Sequence, residues 1–287
     1  MTRWAGFVGL TALLISVLLV LTRLTQRLVE SDPQFRDSAE STGSAGRGAD
    51  DSPTIPSEDE SVGVSSLDDG TVVGSTDRPD ATTGTAESLS TAALVANVAL
   101  TQGTVAVVVA AGAWYFDVPL DALGVTAAPA SVGLRAVLTG LVVGVVLWFG
   151  SEVMTALSEA AGFGTDEGLR ELLAPETTGG WLALLGFALP IVAVSEELLF
   201  RAAAIGVPAA GLGTSPWVLA IVSSVAFGFC HGIQGQAGVL VTGLLGLALA
   251  GVYVSTGSLL VVIVAHYVLN ATEFLVQEGL GVDPIGG

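Results

Sequence analysis

The sequence predicts an all-α, polytopic membrane protein of about seven transmembrane helices, with a functional core formed by the last four. Three observations carry this. Half of the 287 residues are apolar and the mean hydropathy is +0.74. The apolar residues gather in glycine- and alanine-rich runs of roughly 20 residues, the length that crosses about 30 Å of hydrocarbon. Charge is nearly absent from those runs, so the few ionisable residues inside them call for a reason: an acid or base at a membrane helix centre costs about 2.5 to 3.5 kcal/mol on insertion scales.

The first run, Trp4 to Leu21, is flanked by Arg3, Arg23 and Arg27 and has no small-residue cleavage site after it. It reads as a retained anchor helix over residues 1–28. Residues 29–88 form an acidic linker. Between Glu30 and Glu87 stand fourteen acids and three arginines among Ser, Thr, Gly, Asp and Pro, without helix or strand periodicity. Such a segment buries too little apolar surface to offset its ordering entropy, so disorder is expected, and its simplest role is a solvated tether.

Residues 89–157 carry the second and third spans, from about Leu89 to Phe116 and from about Val132 toward Leu157. The third holds Gly140 and Gly144, a small-xxx-small spacing that lets helices approach closely in lipid. Residues 158–179 are a polar loop. In it Thr165, Asp166 and Glu167 lead into Leu169, Leu172 and Leu173 before Pro175, the pattern of a short interfacial helix. Residues 180–278 hold four further spans: Trp181 to about Ile205, Trp217 to about Gly232, Ala237 to about Val254, and Leu259 to about Val276.

The charge balance is lopsided. Nine arginines and no lysine face 27 acids, a net charge of −18. Acid surplus with lysine avoided suggests a multi-pass protein in the cell membrane of a halophilic archaeon, where salt screens the self-repulsion. It argues against a nucleic-acid partner. The lone Cys230 forbids an intrachain disulfide and reads as a small apolar filler.

The polar residues within the last spans form a pattern. The stretch Val194-Ser195-Glu196-Glu197-Leu198-Leu199-Phe200-Arg201 places two carboxylates and a guanidinium at the end of an apolar run. Glu197 and Arg201 are four residues apart and can pair on one helix face, whereas Glu196 points about 100° away. Both histidines of the chain lie in apolar runs: His231 ends Phe227-Gly228-Phe229-Cys230-His231, and His266 stands four residues before Asn270. Glu196, His231, His266 and Asn270 can therefore converge from three helices. Depth sets a condition, because a helix ending near Phe200 would leave Glu196 and His231 near opposite membrane faces. We expect that helix to continue through Arg201 to about Gly206, before Pro208.

Glu196-Glu197-x-x-x-Arg201, Phe227-x-x-x-His231 and His266-x-x-x-Asn270, in this order on successive apolar segments, resemble the three motifs of the CPBP intramembrane proteases. That family includes the type II CAAX prenyl endopeptidases and the Abi, or bacteriocin-processing, proteins. The resemblance covers about Trp181 to Val276 and implies peptide hydrolysis in the membrane. It implies that Glu196, helped by His231, activates water and that His266 and Asn270 donate to the oxyanion. Glu197 and Arg201 would support Glu196, with Phe227 as a further motif residue. The expected partners are a peptide or protein substrate in the membrane and the surrounding lipid. No cofactor is required by that chemistry.

Two alternatives stay open at this point. Two histidines and a glutamate also suit zinc, as in a metalloprotease, although no His-Glu-x-x-His is present. A non-catalytic scaffold or transporter-like binder could use the same polar groups for helix contacts or proton handling. Serine and aspartyl intramembrane proteases are disfavoured, because neither Gly-x-Ser-Gly nor Gly-x-Gly-Asp occurs.

Overall fold

The computed structural model describes residues 3–31, 91–162, 170 and 173–282. The acidic linker, beyond the end of the first helix, lies outside these residues, as does most of the expected interfacial helix around Thr165 to Leu173. The described residues are helical and contain no strand. The protein is thus an all-α polytopic membrane protein. The main helices among the described residues are, in order, α1 Trp4–Ser31, α2 Thr91–Tyr115, α3 Leu134–Ala160, α4 Thr178–Leu212, α5 Pro216–Cys230, α6 Gly235–Thr256 and α7 Leu259–Glu273.

Six of the described helices are long and apolar enough to cross a membrane, and α5 is a shorter apolar helix of 15 residues. At 1.5 Å per residue α5 is only about 22 Å long, less than the hydrocarbon thickness. It ends at Cys230, and the chain reverses through the tight turn Gly232–Gln234 into α6.

The expectation for α4 holds and is exceeded. The helix runs 35 residues, past Gly206 to Leu212. Pro208 does not stop it, for two reasons. It falls in the first turn of the last α-helical stretch, where a missing N–H is tolerated. The preceding stretch, Leu198–Gly206, is a π-helix, in which the Val207 N–H bonds back to the Ala202 carbonyl. A second π turn lies at Leu184–Ala188. Side-chain hydroxyls reach carbonyls in both: Tyr267 of α7 donates to Leu185 at 3.1 Å, and Ser223 of α5 donates to Phe200.

Packing then fixes α7. Gly140 and Gly144 on α3 meet Val261, Val264, Ala265 and Val268, and a Cβ at Gly144 would fall 2.7 Å from the Ala265 carbonyl. The glycine pair therefore makes the close helix contact that its spacing predicts. The loop between α2 and α3 holds the start of α7. Buried Ser258 caps that helix by accepting from the Val261 N–H, while its hydroxyl donates to the Ser131 carbonyl at 2.8 Å.

The N-terminal helix is integrated into this bundle. Phe7 is fully buried, and the Arg3 side chain donates to the Tyr115 carbonyl. Near its other end Thr22 donates to the Cys230 carbonyl at 3.2 Å. One face of α1 thus packs on protein, while Leu13, Val17 and Val20 stay exposed as lipid-facing residues do.

Candidate active site

Glu196 lies midway along α4, 16 residues before its end at Leu212, or about 24 Å at the α-helical rise. His231 follows the first residue of α5 by 15 positions, about 22 Å in the returning direction. The two residues consequently come level. His231 occupies the C-terminal cap of α5, with non-helical backbone angles.

The histidine tautomers follow from their partners. His231 Nδ1 lies 2.8 Å from the Phe227 carbonyl, which can only accept, so Nδ1 carries the proton. Its Nε2 then faces Glu196 Oε1 at 3.9 Å. His266 Nδ1 lies 2.7 Å from Glu197 Oε1 and donates to that carboxylate, while its Nε2 faces Glu196 Oε2 at 3.7 Å. Both rings thus turn Nε2 toward the same carboxylate. The two gaps are too long for direct hydrogen bonds, and a water lying beside either one, off the line between its atoms, would reach both ends at about 2.8 Å.

Glu197 and Arg201 lie beneath this arrangement. Arg201 is 1% exposed and Glu197 is fully buried. Arg201 Nη1 donates to Glu197 Oε1 at 2.9 Å and Nη2 donates to the Gly246 carbonyl on α6 at 3.1 Å. Its guanidinium lies 4.6 Å from the centre of the Phe227 ring, a cation–π contact. Phe227 also stands edge-on to His266 at 6.3 Å and tilted against His231 at 4.5 Å. Gly246 leaves room for that ring, since a Cβ there would fall 2.8 Å from Phe227 Cδ1. Glu197 therefore engages His266 and Arg201 by direct bonds, where the sequence suggested a pair supporting Glu196.

Glu196, Glu197, Arg201, Phe227, His231 and His266 are brought together. Asn270 lies one helical turn beyond His266 on α7, half-buried, and its side chain makes no hydrogen bond to a described residue.

One residue of the site was missed in the sequence. Gln102 of α2 donates its amide N–H to Glu196 Oε1 at 3.1 Å. The signal was an amide inside the apolar run Leu89 to Phe116, where polar side chains mark function or helix contacts.

Glu196, His231 and His266 are donor types that zinc accepts. Their spacing does not suit it as it stands. Bonds of about 2.0 to 2.1 Å in a tetrahedron place ligand atoms about 3.3 Å apart, against 3.7 and 3.9 Å around Glu196. Among the described residues no group of three His, Cys, Asp or Glu side chains is arranged to hold a metal ion.

With this geometry in place, comparison with known proteins gives one family. Residues 178–272 match the Rce1-like family model, described as type II CAAX prenyl endopeptidase Rce1-like. The match spans about a third of the chain and contains all seven motif residues. It supports the CPBP/CAAX protease family to which the motifs point. No match was found among curated proteins or among solved structures.

Proposed function

With a segment of the CAAX protease family as the premise, we propose that this chain is an intramembrane endopeptidase whose water is activated by Glu196 and His231. Its substrates are peptides embedded in, or lipid-anchored to, the membrane. The observation that carries the reading is the placement of Glu196 between the Nε2 atoms of two histidines whose Nδ1 atoms are already committed.

A water in that gap gives one proton to Glu196 and the other hydrogen bond to His231 Nε2, which has a lone pair because Nδ1 holds the ring proton. Its oxygen is then free to attack a peptide carbonyl. His266 and Asn270, neighbours on one face of α7, act as the oxyanion donors. For His266 to donate from Nε2 the ring must carry both protons, with Glu197 as counter-ion on Nδ1. Glu196 then returns its proton to the leaving amine. The chemistry uses only side chains of this protein.

The test is cleavage of a transmembrane-peptide library by purified protein, wild type against Glu196→Gln. High salt is the right medium, because the acidic, lysine-free composition reads as halophilic. Glu196→Gln keeps the shape and a hydrogen-bonding group, so removal of a general base should lower the rate about 100- to 10,000-fold. Equal cleavage by both proteins would remove Glu196 as base. Loss of wild-type cleavage on chelation, with recovery on adding zinc, would move the reaction to a metal.

A further inference from the structure

The Glu196 carboxylate needs an orientation as well as a position. Its terminal torsion is a broad one, and an unrestrained carboxylate would present either oxygen to the water. Neither histidine restrains it by a direct bond, since both stand at 3.7 Å or more. Among the described residues the direct hydrogen bond to this carboxylate comes from Gln102.

Gln102 reaches across from a helix outside the matched segment, which begins at residue 178. The other polar side chains nearby on α2 are occupied at home. Thr101 donates to the Asn97 carbonyl and side-chain oxygen, and Thr104 donates to the Leu100 carbonyl. Beside Gln102, Gly103 brings α2 within contact range of Ile191 on α4, one and a half turns before Glu196. The helix pair is therefore close where the amide must cross.

We propose that Gln102 is the positioning residue of the catalytic base: its amide N–H holds Oε1 of Glu196, so that the remaining lone pairs face the water. This rests on the reading of Glu196 as base. A bond that served only to join helices would be a minor contributor, since interhelical hydrogen bonds in membranes are weak on average, and its loss would not single out the chemical step.

The experiment compares full-length wild type, Gln102→Met and Glu196→Gln, purified in parallel. Gln102→Met keeps the side-chain length and apolar bulk while removing the donor. Two readouts are taken. The first is the infrared carboxylate stretch of Glu196 in protein labelled with carbon-13 glutamate, identified by its loss in Glu196→Gln; it needs no substrate. The second is kcat and KM on a peptide that the wild type cleaves. The role requires a shifted Glu196 band together with a kcat at least tenfold lower and a KM within twofold of wild type. An unmoved band, or a kcat equal to wild type, overturns it. If Gln102→Met does not fold, Gln102→Asn, which keeps the amide but draws it back by one methylene, is read in the same way. Failure of the underlying reading shows separately, as wild-type cleavage by Glu196→Gln.

Discussion

Replacing Arg201 by Met tests whether the buried ion pair is the support on which the site stands. The side chain is buried and of similar length to its replacement, so little packing volume is lost and the effect is electrostatic. Arg201 gives up two hydrogen bonds, to Glu197 and to the Gly246 carbonyl. The second matters less, because Gly246 lies inside α6, where its carbonyl is available to the helix ladder. The first leaves Glu197 fully buried with His266 as its remaining donor, for Oε2 has no hydrogen-bond partner among the described residues. Removing one partner of such a pair costs about 3 to 5 kcal/mol, whereas removing both can be close to neutral. Glu197→Gln strands the guanidinium in turn and should cost a similar amount. The double variant keeps an amide oxygen for His266 Nδ1, and should lose no more than about 2 kcal/mol, so the cycle should show coupling of about 4 kcal/mol or more. Reversible unfolding in mixed micelles measures all four forms. Additive losses, or an Arg201→Met cost under about 1 kcal/mol, would show that the pair is solvated or relaxed, and the argument from burial would be wrong.

Two further outcomes follow from the packing. Gly144→Leu should push α3 from α7, costing about 1 to 3 kcal/mol by overpacking and lowering cleavage by displacing His266, whereas Gly150→Leu on the same helix, where a Cβ meets nothing within 4 Å, should be silent; equal behaviour of the two in unfolding and cleavage assays would refute the contact. Thr22→Val removes the donor to the last carbonyl of α5 and should cost about 1 kcal/mol while lowering kcat through His231. Thr25→Val is the matched control, since Thr25 bonds only its own helix at Leu21, and a kcat no lower in Thr22→Val than in this control would detach α1 from the site.

The spans were legible because hydropathy and length report directly on what lipid will accept. Close contact of α3 was legible through Gly140 and Gly144, since only small residues permit it. The set Glu196, His231 and His266 was legible for a related reason: ionisable groups in an apolar run are expensive and stand out. What hydropathy cannot report is which protein face a helix turns inward. Trp4 to Leu21 therefore read as an anchor alone, although Phe7 is buried and Thr22 reaches Cys230. Gln102 escaped for the same reason, because a single amide alters a hydropathy window little while its partner lies 94 residues away.

The end of α5 shows where sequence reasoning needed a second term. Continuing α4 past Phe200 brings Glu196 toward mid-depth, and the expectation stopped there. Counted back from the loop after Leu212, Glu196 stands about 24 Å and His231 about 22 Å deep, so extension of α4 already aligns the two in depth. What the end of α5 after 15 residues adds is the cap position of His231, with its non-helical backbone angles. Nothing apolar in Phe227-Gly228-Phe229-Cys230 announces a stop. The cue lies after it, in Gly232 to Gly235, where Gly235 takes a positive φ of 76° that other residues rarely adopt. A tight turn at that point must have its polar backbone satisfied inside the bilayer region, and here Gln234 N–H bonds to the His231 carbonyl while Thr22 covers Cys230. The turn that ends α5 at His231 is therefore one that the first helix helps to make tolerable, which ties the N-terminal segment to the chemistry more closely than a membrane anchor requires.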